Sequence, residues 1–221
     1  AAVKGYPCTI VMPEGMSDER KKIMRAYGAE LIFTKGGESD VDLSLQRLQE
    51  IRAADPARYW VPGQFDNTDN VEAHILTTGP EIREQMDGRI GAFVDSQGSG
   101  GLLTGVGRYL RRHDPALRLY AVEPAECALL STRAWGHHGI EGIGDGFVPR
   151  NLDVSLLTGV ITTTTDESVA ILRLAKRFQR ARPRPLFKEK RVALLFYEAS
   201  TRTRISFEFA HASTSSASTI L

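Results

Sequence analysis

Cysteine is scarce in this chain, which carries only two cysteines in 221 residues. Cys8 and Cys127 lie far apart and follow no metal-ligand spacing. A small secreted domain held by disulfides would need more of them, and a structural zinc site would need its ligands grouped. We therefore expect two free thiols in a protein of the reducing cytoplasm.

Long apolar runs and an excess of charge of one sign are also absent. No stretch approaches the roughly 20 apolar residues that span a bilayer, and the first residues lack the features of a signal peptide. The 28 Lys and Arg nearly balance the 27 Asp and Glu, so the formal net charge is +1. This composition argues against a membrane or nucleic-acid partner, whereas small anionic ligands need only local charge.

Strands and helices alternate along most of the chain. Apolar runs predict strands at 8–12, 31–34, 59–61, 90–96, 119–122 and 159–163. Helices are predicted at 18–27, 71–86, 102–112 and 167–178, and the spacing of Val41, Leu45, Leu48 and Ile51 predicts a further one. Ser17 and Asp166 are the expected N-caps. The alternation predicts an α/β protein with a mostly parallel sheet and helices on both faces.

The first candidate site is Gln97-Gly98-Ser99-Gly100-Gly101, which follows a predicted strand and leads into a predicted helix. Backbone N–H groups at such a turn converge on one point and bind a phosphate well. Glycines permit close backbone approach, and Ser99 adds a hydroxyl donor. On these residues alone, a plain strand-to-helix turn explains the glycines equally well.

A second strand-turn-helix pattern surrounds Ser200-Thr201-Arg202-Thr203-Arg204. Hydroxyls, free N–H groups at a helix start and a guanidinium together suit an anion. The basic, proline-punctuated stretch 179–185 precedes this unit and indicates a linker or a fusion seam. The stretch 213–219 contains only Ser, Thr and Ala, which is typical of a frayed end.

Six segments along residues 1–178 match, in sequence and in order, segments that are typical of one enzyme family. They are Met12-Pro13-Glu14-Gly15-Met16-Ser17, Gln64-Phe65-Asp66-Asn67, Thr77-Thr78-Gly79-Pro80-Glu81-Ile82, Gly98-Ser99-Gly100-Gly101, Ala121-Val122-Glu123-Pro124 and Glu141-Gly142-Ile143-Gly144-Asp145-Gly146-Phe147-Val148-Pro149. This part of the chain resembles the cysteine synthase and cystathionine beta-synthase family of pyridoxal-phosphate enzymes. The resemblance implies a fold type II three-layer sandwich, incomplete at its N-terminus, with pyridoxal 5'-phosphate as cofactor and an amino acid as substrate.

The resemblance also implies roles for single residues. Gly98, Ser99, Gly100 and Gly101 would hold the cofactor phosphate, Gly142 and Ile143 would line the cofactor ring, and Gln64 would bind the carboxylate of the amino-acid substrate. The chain departs from the family at Leu102, where a threonine hydroxyl commonly contacts the phosphate as well. We expect a weaker phosphate site for that reason.

The resemblance bears on catalysis too. The family's Schiff-base lysine, and its substrate-binding Ser-Gly-Asn-Thr-Gly loop, belong ahead of the position of Ala1. Lys4, Lys35 and the other lysines of this chain stand in ordinary surface contexts. We therefore predict no catalytic residue here, no covalent cofactor attachment through the family lysine, and an incomplete or inactive chain.

Residues 186–212 carry a different resemblance. The wording from Leu195 to Glu208 is similar to the carbamoyl-phosphate-binding domain of aspartate and ornithine carbamoyltransferases. By that resemblance Ser200, Thr201, Arg202 and Thr203 would hold the phosphate of carbamoyl phosphate. The chain is thus expected to divide into a partial pyridoxal-phosphate domain at 1–178, the linker or seam at 179–185, and a carbamoyltransferase-like fragment at 186–221.

Three functions stay open on this reading. The leading one is a cysteine-synthase-like beta-replacement on an O-activated serine in cysteine biosynthesis, and the others are a carbamoyl-phosphate-binding transferase fragment and a non-catalytic phosphate-binding fusion product. A homo-oligomer is left open, because an incomplete sheet exposes apolar faces. The pair His137 and His138 lacks partners at ligand spacing, so we expect exposed loop residues and no metal.

Overall fold

All the strands in the described part of the molecule pair in parallel. The structure is a computed structural model that describes the backbone of residues 1–180 and the side chains of residues 1–173. Strand β1 (Thr9–Pro13) pairs with β2 (Glu30–Thr34), and a second sheet has the order β3 (Ala92–Ser96), β4 (Arg118–Pro124), β5 (Gly159–Thr163). The predicted parallel α/β class is therefore confirmed, although these strands form two sheets.

The long connection from β4 to β5 contains only 3-10 turns, whereas an α-helix connects β1 to β2 and another connects β3 to β4. Six α-helices lie within residues 1–180. They are α1 (Asp18–Ala26), α2 (Val41–Ala54), α3 (Asp69–Ala73), α4 (Gly79–Gln85), α5 (Gly101–His113) and α6 (Thr165–Arg180). A π-helical turn, His74–Thr78, joins α3 to α4, so the helix predicted at 71–86 exists with a widened turn inside it. None of the helices within residues 1–180 is long and apolar enough to cross a membrane.

The core lies between α5 and one face of the sheet that β3 and β4 form. Leu103 and Val106 on α5 are almost fully buried, and they share a cluster with Leu119 and Ala121 on β4. A side chain at Gly107 would come within 2.7 Å of Leu119 Cδ2, so this glycine allows the helix to lie close to the strand. The packing fixes the direction in which α5 points its N-terminus.

Two local predictions were wrong. Residues 59–61 form no strand; Trp60 is exposed, and Pro62, which has no N–H to donate, follows at once. Helix α6 begins at Thr165, so its cap is Thr164 and not Asp166. Thr164 Oγ1 accepts the Glu167 N–H at 3.1 Å, while Glu167 Oε2 accepts the Thr164 N–H at 2.8 Å, which makes a capping box.

Leu103→Ala tests the role of the α5 core. Leu103 is 1% exposed, and its truncation should lower the free energy of unfolding by about 2–5 kcal/mol through lost apolar contact and the cavity left behind. Leu76→Ala is the matched control, because Leu76 is 66% exposed and should change stability by about 0.5 kcal/mol or less. Urea denaturation of both variants measures the difference. Equal losses would show that the core is elsewhere.

Candidate active site

Two glycine loops lie side by side at the C-terminal edge of β3 and β4. The first glycine loop, residues 97–101, follows β3, and the second, residues 142–146, follows the long connection after β4. The Gly144 N–H donates to the Gln97 carbonyl at 3.0 Å, and a Cβ built on Gly98 would lie 3.3 Å from the Gly142 carbonyl oxygen. The residues predicted to contact a phosphate and those predicted to line a ring are thus neighbours.

The first glycine loop turns sharply into α5 at Gly100. This residue has φ of +79°, a left-handed conformation that glycine adopts without strain, and a Cβ there would lie 2.7 Å from the Leu152 backbone nitrogen. The turn brings the N-terminus of α5 to the loop, where the first N–H groups of a helix have no partners within it. Ser99 is half-buried beside them. This arrangement suits a phosphate or another anion.

Two asparagine side chains hold the predicted substrate residue Gln64 beside the first glycine loop. Asn70 Nδ2 donates to the Gln64 carbonyl at 2.7 Å and to Ser99 Oγ at 3.1 Å. Asn151 Nδ2 donates to the same carbonyl at 2.9 Å and to that of Asn67 at 3.0 Å. The backbone of Gln64 is therefore anchored, and its side chain is exposed to solvent.

Sequence reasoning missed both asparagines. Asn70 lies three residues after the matched segment at 64–67, and Asn151 lies two residues after the one at 141–149. That position was the only signal available. Thr104 on α5 completes this side of the site, since its Oγ1 donates to the Asn151 carbonyl at 2.7 Å and accepts the Asp153 N–H at 2.9 Å.

The second glycine loop is held from outside by two titratable side chains. Glu38 Oε1 accepts the Gly142 N–H at 2.7 Å, and His138 Nε2 lies 2.9 Å from the Gly144 carbonyl. His138 Nδ1 accepts the Ile140 N–H at 3.2 Å, so the neutral ring carries its proton on Nε2. The expectation that His138 is a bare exposed residue was wrong, because it is half-buried and braces this loop.

Burial governs the ionisation of the acidic groups near the loops. It raises the pKa of Glu38 to about 7 and that of Asp95, near the end of β3, to about 7. The folded protein therefore keeps the Glu38 proton at pH values where the unfolded chain, with an ordinary pKa of 4.5, has lost it. The contribution of Glu38 to stability is fully present below pH 4.5 and is lost as the pH rises through 7.

A third carboxylate fastens the connection that follows β4. Glu123 is fully buried and accepts N–H bonds from Leu130 at 2.8 Å and Ser131 at 2.9 Å, with the Ser131 hydroxyl at 2.6 Å. These bonds satisfy a carboxylate that burial alone would disfavour.

No group of three or more His, Cys, Asp or Glu suited to a metal ion occurs among the residues described here. Residues 200–203 lie outside the described part of the chain.

Comparison with known proteins identifies the family. The model of the pyridoxal-phosphate dependent enzymes matches residues 1–183. The chain belongs to that family. A second model, the carbamoyl-phosphate-binding domain of aspartate and ornithine carbamoyltransferases, matches a shorter segment at residues 157–221.

Cysteine synthases are prominent among the similar proteins. The chain is 40% identical over 181 residues to cysteine synthase A of Salmonella typhi, which covers 78% of this chain and 56% of the relative. It is 42% identical over 168 residues to a cysteine synthase of Flavobacterium, covering 76% and 54%. A crystal structure of cysteine synthase from Entamoeba histolytica superposes with a TM-score of 0.70 at 36% identity, covering 81% of this chain and 52% of that one. The chain thus spans a little over half the length of these relatives.

Members of this pyridoxal-phosphate dependent family use that cofactor, and the geometry of the first glycine loop agrees with a phosphate. A side chain at Gly100 would collide with Leu152 and one at Gly101 with Asn70, so only glycine fits at these two positions. Leucine has no hydroxyl, so Leu102 offers the loop no donor in place of the family's threonine, and its side chain packs in the core with 7% exposure. Ser99 is the hydroxyl within the loop, and the remaining donors are backbone N–H groups.

Gly100→Ala tests the turn of the first glycine loop. The added Cβ should cost about 2 kcal/mol or more, because it combines left-handed strain with a clash against the Leu152 backbone. Gly91→Ala is the matched control, since a Cβ at Gly91 meets nothing within 4 Å. Thermal unfolding of the two variants provides the comparison. A stable Gly100→Ala protein would mean that the loop has another conformation.

Proposed function

We propose that this chain forms the phosphate-binding and substrate-carboxylate side of a cysteine-synthase-like active site. The reaction of that site is beta-replacement on an O-activated serine. One observation carries the proposal: the first glycine loop, the second glycine loop and the Gln64 turn are hydrogen-bonded into one continuous surface. Relatives at 40% and 42% identity are cysteine synthases, which supports the choice of reaction.

In this proposal each part of the surface has its own role. The N–H groups at the start of α5 and the Ser99 hydroxyl hold the cofactor phosphate, as charge-assisted bonds to an anion. Gly142 and Ile143 would line the cofactor ring. Gln64 donates its side-chain amide to the carboxylate of the amino acid, a role that fits its exposure to solvent and the link of its backbone through Asn70 to Ser99.

The cofactor, when bound, supplies an electron-poor ring that stabilises negative charge on the substrate's α-carbon. The residues of this surface bind and orient, and we assign bond breaking to none of them. The match covers only 52–56% of the cysteine synthases compared. Groups that move protons in the complete reaction are therefore not assigned to the part of this chain that the structure describes.

Titration of the full chain with pyridoxal phosphate tests this proposal. We expect saturable binding, followed by the absorbance and fluorescence of the cofactor, and at least tenfold weaker binding of pyridoxal, which lacks the phosphate. Ser99→Ala should raise the dissociation constant for pyridoxal phosphate by about three- to tenfold, the loss of one hydrogen bond to a charged group. It should leave pyridoxal binding unchanged.

Ser155→Ala controls for the loss of a hydroxyl elsewhere. Ser155 is exposed, and its Oγ donates to Asp153 Oδ1 at 2.6 Å, away from both glycine loops. Its dissociation constant should match that of the parent. Equal binding of pyridoxal and pyridoxal phosphate, or no effect of Ser99→Ala, would reject the phosphate role of the first glycine loop.

A second candidate function concerns Ser200, Thr201, Arg202 and Thr203. We propose that these residues bind the phosphate of carbamoyl phosphate, supported by the carbamoyltransferase model that matches residues 157–221. A guanidinium and three hydroxyls within four consecutive residues suit a phosphate dianion.

Calorimetric titration with carbamoyl phosphate tests the second candidate. Arg202→Ala should weaken binding by about tenfold or more, because a charge-assisted pair of hydrogen bonds is lost. Arg182→Ala removes a charge from the basic stretch 179–185 outside the motif and should leave the affinity within about twofold. Identical losses in both variants would indicate non-specific attraction, and the absence of binding in the parent would reject the site.

A further inference from the structure

We propose that Glu38 is a positioning residue for the second glycine loop, and that its ionisation sets how firmly this loop is held against the first. The inference extends the proposed function, since the loop it positions is the one assigned to the cofactor ring. Glu38 lies in a 3-10 turn, Glu38–Asp40, that leads into α2. The turn follows β2 directly along the chain, so it belongs to the part of the fold that carries β1 and β2.

The turn contacts the second glycine loop at both of its ends. At one end the Glu38 carboxylate accepts the Gly142 N–H at 2.7 Å. At the other end Gly146, with φ of +87°, lies so close to the Ser39 carbonyl that a Cβ would collide with it. Trp135 Nε1 donates to the same carbonyl at 3.2 Å. Only the first of these contacts involves a group that titrates.

The surroundings of Glu38 bring its protonation equilibrium close to neutral pH. Burial raises its pKa to about 7 against the lowering effects of the Gly142 N–H and Arg20. Arg20 on α1 places Nη1 3.9 Å from Glu38 Oε2 and Nε 3.7 Å from Glu141 Oε2. The carboxylates of Glu141 and Asp145 oppose ionisation.

Other titratable groups face the same loop. His137 Nδ1 lies 3.6 Å from Asp40 Oδ2, and His138 contacts the Gly144 carbonyl. Glu38 Oε2 is buried and accepts no hydrogen bond from the residues that the structure describes, so Oε1 carries the bond to Gly142. An ionised acceptor strengthens such a bond.

A displacement of Gly142 would shift the residues that contact the first glycine loop. The Gly142 carbonyl is the nearest atom to the position of a Cβ on Gly98, and the neighbouring Gly144 N–H holds the Gln97 carbonyl. A weaker bond to Glu38 therefore loosens the spacing between the two sides of the proposed cofactor site. Above pH 7 the carboxylate is ionised and its bond to the Gly142 N–H is strongest, although the buried charge lowers the stability of the whole fold.

The first measurement follows the Gly142 amide by NMR in the full chain, with Gly142→Ala to assign its resonance. In the parent protein this amide should titrate with a midpoint near pH 7. Glu38→Gln keeps an oxygen acceptor and removes the titration, so the Gly142 resonance should then be independent of pH between 6 and 8. His137 and His138 are unchanged in this variant, hence a titration that persists would belong to them and would overturn the inference.

The second measurement compares pyridoxal phosphate binding in two variants at pH 8. Glu38→Ala should raise the dissociation constant by about fivefold or more because the Gly142 N–H loses its acceptor. Glu38→Gln keeps a neutral oxygen acceptor, which holds this N–H less strongly than the carboxylate that is ionised at pH 8, so its dissociation constant should lie between those of the parent and of Glu38→Ala. Glu84→Gln on the exposed face of α4 is the control and should match the parent. Equal affinities of the Ala and Gln variants would overturn the positioning role.

The two measurements separate this inference from the proposed function. A parent chain that binds no pyridoxal phosphate rejects the proposed function, while the Gly142 titration still reports whether Glu38 holds the loop. A parent that binds the cofactor but shows no Gly142 titration retains the proposed function and loses the role of Glu38.

Discussion

Gly100 connects β3 to α5 with φ of +79° and lies directly against the Leu152 backbone, so no side chain fits there. The other contacts of the site depend on this turn. It brings the N-terminus of α5 to the edge of the sheet, and the buried packing of Leu103 and Val106 prevents the helix from rotating away. The free N–H groups of the helix consequently face the same point as Ser99 and the second glycine loop.

Buried polar groups hold the loops that the core does not reach. Glu123 fastens the connection after β4, Asn151 fastens the Gln64 turn, and Glu38 fastens Gly142. Such groups cost free energy unless they are satisfied. Loop amides and carbonyls pair with Glu123 and Asn151, whereas Glu38 is paired through Oε1 alone. A carboxylate or carboxamide can therefore fix a loop by hydrogen-bonding those backbone groups that no strand or helix pairs.

Several elements could be predicted from local pattern because their cause is local. The apolar runs predicted four of the five strands to within two residues at each end, and β5 at both of its ends, since a buried strand needs only a short apolar stretch. The first glycine loop was predicted as a sharp turn because glycines cluster between a predicted strand and a predicted helix, and only the family resemblance assigned it a phosphate. The strand predicted at 59–61 failed because an apolar run of three residues forms a strand only where a neighbouring strand pairs with it.

The sequence by itself determined the parallel α/β class, the family and the segments that build the candidate site, because sequence similarity and hydrophobic periodicity are properties of contiguous residues. Tertiary structure alone decided that Asn70 would meet Ser99, that Glu38 would reach Gly142, and that His138 would brace Gly144. Each of these contacts joins loops whose approach depends on how helices pack on the sheets, and a hydrogen bond between distant residues leaves no periodic signal in either one. The raised pKa of Glu38 has the same origin, since burial is a property of the folded chain.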